Sequence, residues 1–381
     1  MLKKNLGLKG LGLLIFVFMV FSVYPAEADQ TIKIGVIFAR TGNAAIDSAS
    51  GFNVAQFAAD EINKKGGLLG KKIEIKEFDN QSTPLGSKLA AERAVKAGVI
   101  GVVGAVWSSH SLSMAPVFQK AKIPMVSPSS TNPRLTLIGN YIFRVCFSDT
   151  FQGRVMADFA LNYLNARTAV VLINANSKYS MGLAAYFIKS FSKKGKLLWE
   201  NDYADNTIDF TPQLKKIKML APEVAFVPDH YRESAYIIKQ GRKLGLNLIF
   251  LGGDGWLNQM YRYGGKAIEG NYYVAQWHVD SPIIASREFV KKYSEKNGSA
   301  DQPVMALTYD AFSVLANAIK RAGTTNTKDI RDALGKTKNF HGVTGNISFD
   351  KNGDPINKAA VILKFENNGS VYFKTMYPEN R

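Results

Sequence analysis

The stretch Gly104–Pro133, GAVWSSHSLSMAPVFQKAKIPMVSPSSTNP, decides the fold because it places two hydroxyl-rich segments at two strand ends that one helix separates. An apolar strand precedes it, and its own pattern predicts a helix at His110–Ala121 and a strand at Pro124–Ser127. The start of a helix offers free N–H groups and a favourable dipole to an anion. We therefore expect a crevice that accepts a carboxylate and is lined by the hydroxyls of Ser108 and Thr131.

The same alternation of short β-branched strands and longer amphipathic helices extends outward along the chain. It begins at Ile32–Phe38 and restarts after the predicted helix Thr150–Leu164, which gives two successive sets of similar size. Repeated strand–helix units predict parallel sheets with helices on both faces. The predicted fold class is therefore α/β, with two similar Rossmann-like lobes and a ligand cleft between them. The last hundred residues add two helices and a hairpin, at Ser286–Asn297, Tyr309–Ala322, and Val361–Phe365 with Val371–Thr375.

Residues 1–28 have the composition of a secretory signal. Two lysines precede the apolar run Leu11–Val23, and the small-residue segment Ala26–Ala28 follows it. The apolar run has about 13 residues, fewer than the roughly 20 that a transmembrane helix needs. No cysteine near the cleavage point could carry a lipid anchor. We expect cleavage after Ala28, export to the periplasm, and no stable insertion into the membrane.

The composition indicates a basic protein that folds without disulfides. The chain has 48 Lys and Arg against 31 Asp and Glu, a net charge of +17, and residues 1–28 contribute three lysines and one glutamate to it. The basic residues are spread along the chain without a nucleic-acid motif, so we expect them to confer solubility and predict no nucleic-acid partner. Cys146 is the only cysteine. Even without its signal the chain exceeds the roughly 250–300 residues at which cores split, which predicts two domains.

Three polar residues follow predicted strands of the second set. Asp254 lies in Gly252–Gly255, where glycines let the backbone turn sharply, and it is either a counter-ion for a cation or a loop acid that caps a helix. Tyr179 is either an aromatic that covers a ligand or a tyrosine of a surface loop. His230 follows the strand Val224–Val227 and adds a polar group that can titrate.

The sequence carries no signature of catalysis, of a metal or of a nucleotide. Its four histidines lack the spacing of zinc ligands. It contains no G-x-S-x-G, and the segment Gly66–Lys72, GGLLGKK, departs from a phosphate loop because no Ser or Thr follows the lysine. We expect no cofactor, no metal and no enzymatic activity.

Short motifs along the whole mature chain, taken in order, resemble those of the branched-chain amino-acid-binding proteins. These are type I periplasmic binding proteins that deliver substrate to ABC importers. The motifs are Ile34–Val36, Glu61–Gly67, Ser127–Pro128, Thr131–Pro133, Gly252–Trp256, Thr308–Ala311, and Phe349–Asp350 with Gly353–Asp354. The resemblance implies a monomer that closes on a small amino acid and presents it to the permease of an ABC transporter.

The resemblance also implies two lobes joined by three hinge crossings. The crossings are expected near Cys146–Asp149, Trp277–Asp280 and Asn352–Asn357. On this basis lobe 1 comprises residues 29–147 and 279–353, and lobe 2 comprises residues 148–278 and 354–381.

The resemblance assigns a role to each end of an amino-acid zwitterion. Ser108 and Thr131 are expected to bind the α-carboxylate through hydroxyl and N–H groups. The carbonyl of Ser129 and the carboxylate of Asp254 are expected to bind the α-ammonium group. Tyr179 is expected to close over the ligand from the second lobe.

Two positions depart from the family pattern and bear on specificity. Trp107 stands in the side-chain pocket where the best-known relatives have a small residue or a disulfide cysteine, and His230 stands where the family often has a tyrosine. Leucine, isoleucine, valine, a different small amino acid and another small carboxylate all stay open as ligands. A sensory receptor of the same fold is the alternative function, and an exported enzyme is a third.

Overall fold

The computed structural model describes residues 1–2 and 31–378. The chain divides into two units, residues 1–30 and residues 31–381, and the architecture below belongs to the second. Apart from residues 1–2, the predicted signal and its cleavage point lie outside the described residues. None of the described helices combines the length and the apolar character that a membrane crossing requires.

The first sheet has five parallel strands in the order β2-β1-β3-β4-β5. Its strands are β1 (Thr31–Phe38), β2 (Lys72–Asp79), β3 (Gly101–Gly104), β4 (Met125–Ser127) and β5 (Ile142–Arg144). The helices between them are α1 (Ala45–Ser48), α2 (Ser50–Asn63), α3 (Pro84–Lys96) and α4 (Ser108–Ala121), with a short 3-10 turn at Thr136–Ile138.

The second sheet has seven strands in the order β14-β13-β10-β9-β8-β6-β7. The five parallel strands are β6 (Thr168–Asn174), β7 (Lys196–Tyr203), β8 (Val224–Val227), β9 (Ile249–Gly252) and β10 (Tyr272–Ala275). The antiparallel strands at its edge are β13 (Ala360–Glu366) and β14 (Gly369–Met376). The helices are α5 (Asp149–Asn162), α6 (Lys178–Phe191), α7 (Thr211–Leu220), α8 (Tyr231–Lys243) and α9 (Met260–Gly264), followed by a 3-10 turn at Gly265–Ile268.

The remaining elements lie between β10 and β13 in the chain. They are α10 (Ile284–Asn297), α11 (Pro303–Ala322), α12 (Thr327–Gly335) and the small hairpin of β11 (Phe340–Gly342) and β12 (Gly345–Ile347). Residues of α11 and α12 share one core with β1 and α2, so this part of the chain packs against the first sheet.

The two sheets repeat one topology. In each set the first strand lies between the second and the third, so the order 2-1-3-4-5 occurs twice. Along β1, Ile34 and Val36 pack with α2 and α11, whereas Ile37 packs with α3 and α4 on the opposite face. Both faces are therefore apolar, as expected for a parallel sheet covered by helices. The predicted α/β class with two lobes is confirmed.

A buried arginine joins segments that connect the two sheets. Arg144 ends β5, is fully buried, and donates from Nε to Oδ1 of Asp354 at 2.6 Å. Its Nη1 donates to the carbonyls of Ser130 and Asn132 at 3.2 and 2.8 Å. The guanidinium thus fixes the loop after β4 against the segment that leads into β13.

The structure differs from the sequence expectations at several elements. Strands β5 and β10, with three and four residues, were missed, although β4 and β8 of the same lengths were predicted. Helix α11 begins at Pro303, earlier than the predicted Tyr309. Its start was placed too late because its first turns are a continuous apolar run, and such a run shows no helical period. Helix α12 was also missed, although Asn326 caps it.

Candidate functional site

A small cavity lies where the two sheets face each other, at the carboxyl ends of their strands. Its volume is about 30 Å³. Its lining consists of Asp47, Val106, Trp107, Ser108, Ser129, Tyr179, His230, Asp254 and Gly255. The structure therefore brings together the sequence-predicted residues Trp107, Ser108, Ser129, Tyr179, His230 and Asp254. Thr131 is the one predicted residue that does not line this cavity.

The serine at the start of α4 stands between the cavity and the loop after β4. Ser108 is buried and its Oγ accepts a hydrogen bond from the backbone N–H of Asn132 at 3.2 Å. Trp107 precedes it in an extended conformation, and no described side chain caps the helix start. The first N–H groups of α4 are thus left to a ligand or to water, which favours an anion at this point.

Other hydroxyls of the same stretch hold the two loops together. The Oγ of Ser130 donates to the carbonyl of Val106 at 2.9 Å and lies 2.7 Å from the Oγ of Ser111. The Oγ of Ser127 donates to the carbonyl of Ala105 at 3.0 Å. Some serine hydroxyls of this stretch therefore hold together the loops that carry the site.

Thr131 lies beside a buried acid at the start of α5. Its carbonyl accepts from the backbone N–H of Asp149 at 2.9 Å. Burial raises the pKa of Asp149 to about 8. The Oγ1 of Thr131 is buried and has no hydrogen-bond partner among the described residues. The structure thus places Thr131 next to the cavity wall, and its role in binding a carboxylate stays a prediction.

Asp254 follows β9 and is held by two glutamines that the sequence analysis did not single out. Its backbone N–H donates to Oε1 of Gln152 at 2.7 Å, and Nε2 of Gln276 donates to its Oδ2. Its Oδ1 is buried and accepts no hydrogen bond from the described residues. Burial raises the pKa of Asp254 to about 6, against the hydrogen bond from Gln276. One carboxylate oxygen at the cavity therefore lacks a partner.

The glycines before Asp254 are required for close approach. A Cβ on Gly253 would lie 2.2 Å from the hydroxyl of Tyr179, and one on Gly252 would lie 2.1 Å from the ring of Trp256. Neither glycine has a positive φ. The predicted turn is present, since the backbone N–H of Trp256 donates to the carbonyl of Gly253 at 3.0 Å. The space beside Gly252 and Gly253 also excludes a side chain.

Aromatic rings from the two lobes stack across the cavity. The rings of Trp107 and His230 are 3.8 Å apart and inclined by 12°, and Tyr179 stacks on His230 at 5.2 Å. Burial, together with the nearby His110, lowers the pKa of His230 to about 3. The lowered pKa favours a neutral His230 near pH 7, which differs from the titrating group that the sequence suggested.

Asp47 is a cavity residue that sequence reasoning missed. It lies in the four-residue helix α1 and accepts a hydrogen bond from Nε1 of Trp107 at 2.7 Å. Its Oδ1 is buried and has no partner among the described residues. The only signal was an acid shortly after β1, and so short a helix leaves no periodic pattern to draw attention to it.

Direct contacts between the lobes surround the cavity. Nδ2 of Asn132 donates to the carbonyl of Lys178 at 2.7 Å, and the backbone N–H of Lys178 donates to Oγ of Ser109 at 3.2 Å. The hydroxyl of Tyr231 donates to the carbonyl of Asn43 at 2.9 Å. The described conformation is therefore a closed one.

A larger cavity of about 250 Å³ adjoins the small one beyond the stacked rings. Trp107 and His230 belong to both linings. The larger lining also includes Asp205, Asp229 and Glu233. The cleft is thus acidic within a chain whose net charge is +17.

The described residues hold no cluster of three or more His, Cys, Asp or Glu that could bind a metal ion. Cys146 is buried and free, and burial raises the pKa of its thiol. The polar and charged side chains of the cavity lining are groups that can bind a small molecule.

Comparison with known proteins gives consistent matches over nearly the whole described chain. The sequence profile of the family described as periplasmic binding protein matches residues 31–370. The Leu/Ile/Val-binding protein homolog 3 of Brucella melitensis is 29% identical over 350 residues, which cover 90% of this chain and 94% of that protein.

Two solved structures are similar in fold and sequence. The leucine binding protein LivK of Thermotoga maritima has a TM-score of 0.87 and 34% identity, and the match covers 91% of this chain and 99% of that one. The substrate-binding protein LivJ of Streptococcus pneumoniae, solved with isoleucine, has a TM-score of 0.86 and 30% identity, with 91% and 100% covered.

Proposed function

The chain belongs to the periplasmic binding protein family, and we propose that it captures a small amino acid between its lobes and delivers it to an ABC importer. The observation that carries the proposal is the buried Oδ1 of Asp254, which has no partner among the described residues and belongs to a residue that lines the cavity between the lobes. A buried charge without a partner is costly, and an ammonium group of a ligand would relieve that cost.

The two ends of an amino acid would find different groups in this cavity. The α-ammonium would lie between the carboxylate of Asp254 and the carbonyl of Ser129. The α-carboxylate would lie at the start of α4, near the hydroxyls of Ser108 and Thr131, where the helix dipole favours an anion. Tyr179 would cover the ligand from the second lobe.

The closing motion would act at three crossings of the chain between the sheets. We place the boundaries as the sequence suggested, with lobe 1 at residues 29–147 and 279–353 and lobe 2 at residues 148–278 and 354–381. The non-helical segments at residues 145–148, 276–283 and 348–359 support this division, because a few residues between elements suffice for a hinge. A ligand that contacts both lobes would raise the closed population.

The relatives support the choice of ligand class and of partner. LivK of Thermotoga maritima is a leucine binding protein, and LivJ of Streptococcus pneumoniae is a branched-chain amino acid transporter component solved with isoleucine. We propose that this chain is exported to the periplasm and cleaved near Ala28. We also propose that it is a monomer, that it docks on a permease, and that it releases the ligand without chemical change.

Thermal shift and calorimetry with purified protein test the proposal. Partial unfolding and refolding removes carried-over ligand, and the protein is then screened against the twenty amino acids and matched plain carboxylates. A ligand at 100 times its Kd stabilises the folded state by about 2.7 kcal/mol, which gives a measurable shift. We expect shifts with amino acids and none with carboxylates that lack the ammonium group. Shifts with both kinds, or turnover of the amino acid during incubation, would contradict the proposal.

A further inference from the structure

The side chain of the bound amino acid can be specified further, on the premise that the proposed function holds. We infer that this side chain carries a hydrogen-bond donor that Asp47 accepts, so that the preferred ligand is a small polar amino acid. Asp47 would then be a specificity-determining residue of the site.

Only one of the two carboxylate oxygens of Asp47 accepts a hydrogen bond from the described residues. Its side chain is only 6% exposed, and its Oδ2 accepts from Nε1 of Trp107 at 2.7 Å. Its Oδ1 is inaccessible to water and unpaired within the described part of the chain. The tryptophan contact therefore uses one oxygen, while the other has no partner among the described residues, and both side chains belong to the cavity lining.

The free Oδ1 of Asp47 needs a hydrogen-bond donor from the ligand side chain, because the α-ammonium is already paired. Asp254 would pair with the α-ammonium, which leaves Asp47 without a counterpart in the zwitterion. An apolar side chain at this point would exclude water from Oδ1 and supply no hydrogen bond, which is unfavourable for a buried polar atom. A hydroxyl, amide or short amine would satisfy it.

No described residue of the cavity lining supplies a Lys or Arg cation to Asp47. The wall around it is formed by the apolar Val106, the Trp107 ring and the imidazole of His230. Burial lowers the pKa of His230 to about 3, so the ring is neutral. Burial also raises the pKa of Asp47 to about 7, with the Trp107 hydrogen bond opposing the rise. A hydrogen-bond donor from the ligand would favour the ionised form of Asp47 against the effect of burial.

The size of the cavity limits the length of the ligand. The stacked rings of Trp107 and His230 separate the volume of about 30 Å³ from the larger cavity beyond. The donor must therefore lie within a few bonds of the ligand Cα, as in serine, threonine or asparagine. A long side chain would need the two rings to separate.

Shape-matched pairs of amino acids test the inference in the parent protein. Threonine and valine have nearly the same shape and differ by one hydroxyl, and asparagine and leucine form a second pair. A site built to bind a hydroxyl or amide rejects the analogue that lacks it. Calorimetry should give at least about tenfold tighter binding for the polar member of one pair.

The variant Asp47→Asn changes the chemistry of the free atom and conserves its shape. An asparagine keeps an oxygen for Nε1 of Trp107 and places an NH₂ group where Oδ1 stands. We expect the preference for the polar member to fall at least about tenfold, while the affinity for the apolar member changes by less than about threefold. The matched control is Asp229→Asn, because Asp229 is also buried, has an Oδ1 without a partner among the described residues, and belongs to the lining of the larger cavity and not of the small one. This control should leave the ratio unchanged.

The outcomes separate this inference from the proposed function. If valine and leucine bind the parent as tightly as their polar partners, the inference is overturned while an amino-acid-binding function stands. If Asp47→Asn leaves the ratio of the affinities for the polar and apolar members unchanged, the inference is likewise overturned while the proposed function stands. If amino acids of neither kind bind, both fail. Should Asp47→Asn not fold, the pair comparison in the parent still decides the question.

Discussion

Replacing Asp254 by asparagine should have opposite effects on binding and on the stability of the ligand-free protein. The variant keeps the shape, and an amide oxygen can still accept from Nε2 of Gln276. It removes the charge that would face the ligand ammonium. Truncating one partner of a buried charge pair costs about 2–5 kcal/mol, which corresponds to a Kd raised about 30-fold to about 5,000-fold.

The stability effect follows from the pKa of Asp254 in the folded protein. Burial raises that pKa from 3.8 to about 6, so the folded state holds the proton more tightly than the unfolded state does. The parent is therefore destabilised as pH rises from about 4 through 6, and the loss is complete above pH 6. The asparagine variant carries no such loss. At pH 7 it should be more stable than the ligand-free parent by about 3 kcal/mol, and the difference should fall below about 1 kcal/mol near pH 4.

Two assays measure these effects on the same preparations. Calorimetry with the tightest amino acid gives the change in Kd, and urea unfolding of ligand-free protein at pH 7 and pH 4 gives the change in stability. Equal affinity of variant and parent would refute the role of Asp254 as the cation partner. A variant that is less stable at pH 7 would refute the reasoning about its buried, half-paired carboxylate.

Three further predictions concern the hinge, the glycine wall and the stacked imidazole. Asp354→Asn removes the charge that faces the buried guanidinium of Arg144, so urea unfolding should show that the free energy of unfolding falls by about 3 kcal/mol. A fall of less than about 0.5 kcal/mol would contradict this prediction. Gly253→Ala places a methyl group 2.2 Å from the Tyr179 hydroxyl, so calorimetry should show amino-acid binding weakened by about 1–3 kcal/mol. An NMR titration should find His230 neutral from pH 8 to about pH 4, because burial lowers its pKa to about 3, and a midpoint near pH 6 would exclude the stacked arrangement in solution.

The glycine prediction has a control at the end of α12. A Cβ on Gly335 would meet no atom within 4 Å, and its φ is not positive. Gly335→Ala should therefore leave the affinity for amino acids unchanged. If both alanine variants weaken binding equally, close approach at Gly253 is not the cause.

The sequence predicted those parts of the structure whose signal is local. The positions of Ser108 and Asp254 followed from adjacency to short strands, because side chains that follow parallel strands gather at one edge of the sheet. Strand β5 was missed, although β4, which has the same length, was predicted. The boundary of α11 was misplaced because an apolar run without alternation fits a strand or a helix.

The contacts that shape the cavity were beyond the sequence because they join distant positions. Asp47 and Trp107 are 60 residues apart and meet through one hydrogen bond. The stack of Trp107 on His230 joins the two sets of strands, and nothing near either residue indicates the other. The neutral state of His230 is likewise a property of burial, which its neighbours in the chain do not reveal.

The contacts between the lobes at Asn132 and Lys178, and at Tyr231 and Asn43, have a consequence for how affinity is divided. They join the two lobes through groups of the chain itself and involve no atom of a molecule inside the cavity. Whatever free energy they contribute therefore lowers the Kd of every ligand by the same factor. Selectivity among amino acids must come from the few atoms of the cavity wall, while substitutions at these rim contacts should tune the overall affinity and the rate of release together, leaving the ranking of ligands intact.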